Sequence, residues 1–163
     1  NCLIATDIAD ALTANRNCVV LSDRKEHLET LERLVNEAVP ACVGRIHRID
    51  GGMGKKVRAV ILQQVVSHAE ARQGFVMLAT SSLIGEGFDL PELDTLFLTL
   101  PISFKGRLIQ YAGRLHRKNE GKSEVRIYDY VEPEHPLTSH MHRKRISVFR
   151  GMGYQTADSQ PPP

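Results

Sequence analysis

The chain has 163 residues, 42% hydrophobic and 25% charged, with a net charge of +2. That describes one ordinary globular domain, with apolar side chains enough for a core without disulfides or a structural metal. The longest apolar runs are strand length, which excludes a membrane-spanning helix, and the net charge is too small to announce a nucleic-acid partner by itself. No basic-then-apolar leader opens the chain, so a cytoplasmic protein with no membrane partner is the default expectation. It begins at Asn1 rather than Met, which predicts a piece of a longer protein. Cys2, Cys18 and Cys42 are odd in number and lack CxxC spacing; buried reduced thiols are expected, with no metal site.

Residues 2–14 carry Leu3, Ile4, Ile8, Ala11 and Leu12 at helical spacing, which Asn15 and Asn17 interrupt. Residues 18–22 (CVVLS) follow as a short buried strand. Ser22 and Asp23 are good N-cap residues, and Asp23 with Glu26 predicts a capping-box-like start to a helix bearing Leu28, Leu31, Leu34, Val35 and Ala38, ended by Pro40. A second strand is expected over Cys42 to Ile46. Asp50-Gly51-Gly52 reads as a turn, and Val57, Val60, Ile61, Gln64, Val65 and His68 lie along one side of the next predicted helix.

GGMGKK at 51–56 is not a phosphate loop. That loop needs a glycine five residues before the Gly-Lys pair and a Ser or Thr after it, and those positions hold Ile49 and Lys56. A plain strand-to-helix turn is expected, with Lys55 within reach of a backbone phosphate.

FVMLAT (75–80) and TLFLTL (95–100) are continuous apolar runs, the mark of central strands buried on both faces. Pro91 and Pro101 punctuate them. A helix studded with arginines follows. After a turn at Asn119-Glu120-Gly121, EVRIYDYV (124–131) alternates like a strand nearer the edge. Pro133 and Pro136 precede a last amphipathic helix, about Leu137 to Phe149. Three expected parts result: a domain over 1–131, a helical extension packed on it over 132–153, and a disordered tail or linker stub over 154–163. Strand and helix alternate throughout, so the fold class is α/β: a mainly parallel sheet with helices on both faces and ligands at the C-terminal strand ends.

On the arginine helix, Phe104, Leu108, Tyr111 and Leu115 share one side. Arg107, Gln110, Arg114 and Arg117 point elsewhere, and Gly113 permits close backbone approach on a third side. Two arginines three residues apart can meet one triphosphate. From spacing alone the alternative stays open that these arginines pair with neighbouring acids on a surface helix. His135, His140 and His142 do not share one helix face, so a solvated helix is expected there rather than a metal site.

Gln110-x-x-Gly113-Arg114-x-x-Arg117 resembles motif VI of superfamily 2 helicases and translocases. Thr80, followed by Glu86-Gly87-Phe88-Asp89, resembles their motif V, and VVLSDRKEHLETL resembles motif IV. The features stand in the family's order across residues 15–131. The resemblance implies the second, C-terminal RecA-like domain of such a motor, a three-layer α/β domain. It implies that Arg117 is an arginine finger for the γ-phosphate of ATP and Arg114 its companion. It implies that Gln110 senses the nucleotide, that Glu86, Gly87 and Asp89 lie at the interdomain cleft, and that Ser22, Arg24, Thr80 and Ser81 hold the phosphodiester backbone. For Asp89 and Ser22, plain capping is the competing role.

The motif departs from the HRxGRxxR of the RNA-remodelling branch, since Gln110-Tyr111 stands where His-Arg would. That suits the DNA-directed branch, which includes restriction-enzyme subunits and repair helicases. No Walker A loop and no Asp-Glu-x-His magnesium site occurs in the sequence, so ATP and Mg2+ are expected on an N-terminal RecA-like domain of the same polypeptide. This segment alone is expected to be inactive. The expected function is the C-terminal motor domain of an ATP-dependent DNA helicase or translocase. The alternatives are a non-catalytic RecA-like module that binds nucleic acid or protein, and an RNA helicase domain.

Overall fold

The computed structural model describes residues 1–82, 90–100, 105–116, 122–131 and 136–156. Its strands are β1 (Asn17–Leu21), β2 (Ile46–Ile49), β3 (Phe75–Ala79), β4 (Thr95–Leu98) and β5 (Arg126–Asp129). They form one sheet in the order β2-β3-β1-β4-β5, and every pairing is parallel. The two apolar runs became β3 and β4, each buried at every position. β1 sits between them, in register from Asn17 opposite Phe75 to Leu21 opposite Ala79. The alternating segment became the edge strand β5, with Arg126 exposed.

The helices are α1 (Cys2–Thr13), α2 (Lys25–Ala38), α3 (Lys55–Glu70), α4 (Lys105–Leu115) and α5 (Pro136–Gly151). Side chains alternate across a strand. Cys18 and Val20, Val76 and Leu78, and Phe97 therefore share one face, where they pack with Ile8 and Leu12 of α1 and Leu28, Leu31 and Val35 of α2. Tyr128 stacks on Phe97 at 4.5 Å between ring centroids, and the Tyr130 hydroxyl donates to Asp7 of α1 at 2.7 Å. Ile46 belongs to that face, so its neighbour His47 faces the other way. The ring of His68 packs on His47 with 5.3 Å between centroids, which puts α3 on the opposite side of the sheet. Helices thus cover both faces, as right-handed crossovers between parallel strands require.

Four expectations fail locally. Residues 40–45 form a 3-10 segment and the strand begins only at Ile46. Pro40 at its start presets a helical turn, closed by Cys42 N–H donating to the Val39 carbonyl at 2.9 Å, and Val43 points into solvent. Asp23 does not cap α2: the N-cap is Arg24, with no side-chain cap bond, because the Asp23 carboxylate is held elsewhere. The apolar face predicted on α3 is only partly used, since Val65 and Ala69 are buried while Val57 and Val60 are more than half exposed. A 16-residue helix beside the four-residue edge strand β2 outruns its cover, about 24 Å against about 13 Å. Finally, Cys2 is exposed while Cys18 and Cys42 are buried.

The fold divides into two units, residues 1–100 with 111–130, and residues 101–110 with 131–163. The first holds the sheet with α1, α2 and α3. The second includes α5, in which Arg145 and Phe149 are buried and Phe149 meets Tyr154 edge to face. Among the described residues no helix is long and apolar enough to cross a membrane.

Candidate nucleic-acid and nucleotide interface

Because every strand runs the same way, all the C-terminal ends meet along one rim. β1 hands over to Ser22, β2 to Asp50, β3 to Thr80 and β4 to Thr99. The ladders continue past the strand ends: Ser22 N–H donates to the Ala79 carbonyl at 3.1 Å and the Thr99 hydroxyl to the Leu21 carbonyl at 2.7 Å. Ser22, Asp50, Thr80 and Ser81 are all buried polar residues. Buried polar atoms need partners, and those partners define the rim.

Ser22 Oγ lies 3.1 Å from His27 Nδ1 and accepts from Arg24 N–H at 3.3 Å. His27 Nε2 is 3.0 Å from the Asn1 side-chain oxygen. An amide oxygen only accepts, so His27 donates from Nε2 and its Nδ1 takes the Ser22 proton. Burial, followed by nearby positive charge, holds His27 below the ordinary histidine range and favours that neutral form. Arg24 itself is exposed.

On the β3 side, Ser81 donates to Asp23 Oδ1 through its backbone N–H at 3.3 Å and also through its hydroxyl. Its carbonyl accepts from the Tyr111 hydroxyl at 3.3 Å, and Thr80 Oγ1 meets Ser82 Oγ at the same distance. At the end of β2, Asp50 Oδ1 accepts from Gly52 N–H at 2.7 Å and faces Lys25 Nζ at 2.9 Å. The Lys25 hydrogen bond, aided by Gly52 and Arg48 and opposed by burial, holds this carboxyl below the ordinary carboxylate range. A Cβ on Gly52 would lie 2.7 Å from Lys25 Nζ and 3.0 Å from Asp50 Oδ1, so a side chain there would push the lysine end away from its carboxylate.

Ser22, Arg24 and Thr80 therefore lie on strand-end loops and Ser81 at the helical turn just after β3, with the two sides tied through Asp23; Lys55 and Lys56, at the start of α3, are exposed. Sequence reasoning missed Asp23, His27, Asp50 and the Tyr111 hydroxyl. The Asp-Gly-Gly triplet carried a signal for Asp50, whose side chain folds back on Gly52 as turn aspartates do. Nothing local announced the Asp23–Ser81 pair, 58 residues apart.

On α4, Leu108, Tyr111 and Leu115 are buried, as the wheel predicts, and so is Ala112. Arg107 and Gln110 are exposed and Arg114 is half-buried. The Nε of Arg114 is fully buried and has no hydrogen-bond partner. Gly113 is exposed, with no atom within 4 Å of where a Cβ would stand. Arg117, Glu86, Gly87 and Asp89 lie outside the described residues, as do Phe104 and His135. Among the described residues, no group of three His, Cys, Asp or Glu side chains is placed to hold a metal ion.

A parallel sheet in this order, with its polar loops gathered on one rim, is a RecA-like fold shared with solved helicase domains. The family of the helicase conserved C-terminal domain matches residues 2–119, and the chain belongs to it. It is 33% identical over 102 residues to uncharacterized protein 108L of Invertebrate iridescent virus 3, covering 62% of this chain and 89% of that one. It is 35% identical over 78 residues to putative helicase 161L of Invertebrate iridescent virus 6, where it covers 48% of this chain but only 16% of the relative.

Among solved structures, T4 UvsW is similar with a TM-score of 0.66 at 16% identity, over 92% of this chain and 32% of that one. The C-terminal part of the Fun30 ATPase domain gives 0.64 at 13% identity, over 88% and 43%. Mycobacterium smegmatis helicase Lhr bound to ssDNA and AMP-PNP gives 0.63 at 19% identity, over 89% and 19%. The chain thus spans less than half the length of each of these three structures.

Proposed function

We propose that this chain is the C-terminal motor domain of an ATP-dependent DNA helicase or translocase. ATP and Mg2+ would be held mainly by an N-terminal RecA-like domain of the same polypeptide. Bound there, they supply an activated phosphoryl group. This chain's own part is to present Arg114 and Arg117 to that group, where a fixed guanidinium offsets the charge spread over the phosphoryl oxygens during transfer. Gln110 senses the nucleotide, and Glu86, Gly87 and Asp89 line the cleft. Ser22, Arg24, Thr80 and Ser81 grip the nucleic-acid backbone without reading its sequence, as hydroxyls and amides at strand ends do.

The observation that carries this reading is the match to the helicase conserved C-terminal domain over residues 2–119, a span that takes in Gln110 and Arg114 on α4 and Arg117 beyond it. The similar structures include Lhr with ssDNA and a second domain of Mss116p bound to an RNA duplex, so the fold serves either polymer. Gln110-Tyr111 in place of His-Arg favours DNA.

The test uses the full-length protein. Arg114→Ala and Arg117→Ala should each cut ssDNA-stimulated ATPase turnover by roughly a thousandfold while changing ATP affinity far less. Unchanged turnover in both variants would refute the finger assignment. Residues 1–163 alone should hydrolyse no ATP.

A further inference from the structure

The contact between Asp23 and Ser81 is oddly chosen by the ordinary rules of stability. Asp23 stands beside the start of α2, where an aspartate normally caps the helix, yet α2 has no side-chain cap bond. Arg24 and Lys25 are its sequence neighbours, yet among the described residues its carboxylate forms no ion pair; Lys25 is paired with Asp50 instead. What Asp23 does hold is one residue, through two donors: the Ser81 backbone N–H at 3.3 Å and the Ser81 hydroxyl, both converging on Oδ1.

A backbone amide and a hydroxyl of one strand-end residue, aimed at a single anionic oxygen, are the donors that a phosphodiester oxygen takes from a protein. Carboxylate and phosphate oxygens accept such bonds with the same charge and similar geometry. Ser81 is buried and its carbonyl is fixed by the Tyr111 hydroxyl, so its donors are held in place. Asp23 is exposed, on the short loop between β1 and α2, so its carboxylate can be exchanged for an oxygen from solvent.

We infer that Asp23 is an internal phosphate mimic: it occupies the Ser81 amide and hydroxyl while the domain is free, and a backbone phosphate must displace it. This rests on the reading of Ser81 as a nucleic-acid contact. The device keeps two buried donors satisfied in the empty state, where leaving them bare would be costly. In return it weakens binding and makes the grip releasable, because the carboxylate competes for the donors at every step.

The experiment is a double-mutant cycle on the full-length protein, read by fluorescence anisotropy with a labelled oligo(dT) about twenty nucleotides long. Asp23→Ala should bind on the order of tenfold tighter than the parent, and Ser81→Ala more weakly. In the Ser81→Ala background, Asp23→Ala should change affinity by no more than about twofold. An equal gain in both backgrounds would mean simple charge repulsion and would overturn the proposal. So would a parent that binds, a Ser81→Ala variant that is weakened, and an Asp23→Ala variant no tighter than the parent. Asp23→Asn, which loses the charge and keeps the shape, should give a smaller gain and serves if the alanine variant does not fold. A parent that binds neither DNA nor RNA would sink the underlying reading and the mimic with it.

Discussion

Arg16 and Asp94 clasp each other across the start of the sheet, with Nε of the arginine 3.2 Å from Oδ1 of the aspartate and both side chains mostly buried. Arg16 precedes β1 and Asp94 precedes β4, so the pair locks two neighbouring parallel strands at the end opposite the strand-end rim. The same guanidinium donates to Glu124 Oε1 at 3.0 Å, ahead of β5. Removing one partner of a mostly buried pair strands the other charge. Arg16→Ala should therefore lower unfolding free energy by about 3 kcal/mol in urea titration. Arg33→Ala removes an exposed helical pair with Glu37 and should cost about 0.5 kcal/mol or less.

Gly74 has φ +63°, and a Cβ there would sit 2.6 Å from the backbone carbon of Asn15. Neither the conformation nor the space suits a side chain. Gly74→Ala should destabilise by about 2 kcal/mol or more, seen as a lower urea midpoint with an unchanged slope. Gly113→Ala, in open space within a helix, should be neutral or slightly stabilising by the same measurement.

Burial, and then the neighbouring His68, hold His47 below its ordinary value of 6.5. The unfolded chain then binds a proton at a higher pH than the folded one. Stability should be level above about pH 6.5 and fall as pH drops toward the folded value. His47→Gln should shrink that step and leave the share of His27, which is lowered likewise. Asp50, held below 3.8 chiefly by Lys25 and further by Gly52 and Arg48, gives a separate loss at more acid pH that Lys25→Met should reduce. Thermal melts from pH 8 to pH 3 would resolve both steps.

Arg114 lends itself to a test that separates function from folding. Its buried Nε has no partner, and such a group opposes stability by about 1 kcal/mol or more. Arg114→Leu should thus melt no lower than the parent while ATPase of the full-length protein collapses. A large drop in melting temperature would show that the residue is structural.

Much of this fold was legible because its signals are local. Residues 75–79 and 95–98 are unbroken apolar runs, and only strands buried on both faces need them. α2 shows its heptad-like Leu28, Leu31 and Val35. The errors lie where distant contacts overrule local preference. Asp23 reads as a cap by sequence and is taken by Ser81; Cys42 reads as a strand residue and is turned by Pro40. The valines of α3 read as a buried face because nothing in the sequence tells how short β2 is. For the candidate site, residue types and order were visible in Ser22, Thr80 and Arg114, whereas the partners that decide how each hydroxyl points were not.

The sheet has two ends with opposite characters. At the end where the strands begin, Arg16, Asp94, Thr95, Glu124 and Arg126 neutralise one another almost completely. At the end where they finish, the donors of buried Ser81 are occupied by the exposed carboxylate of Asp23. Natural or laboratory variation should therefore sort by end: changes at the first alter how long the domain survives heat, and changes at the second fall on the proposed grip. A thermostable variant could be built entirely from the first end without touching the proposed grip.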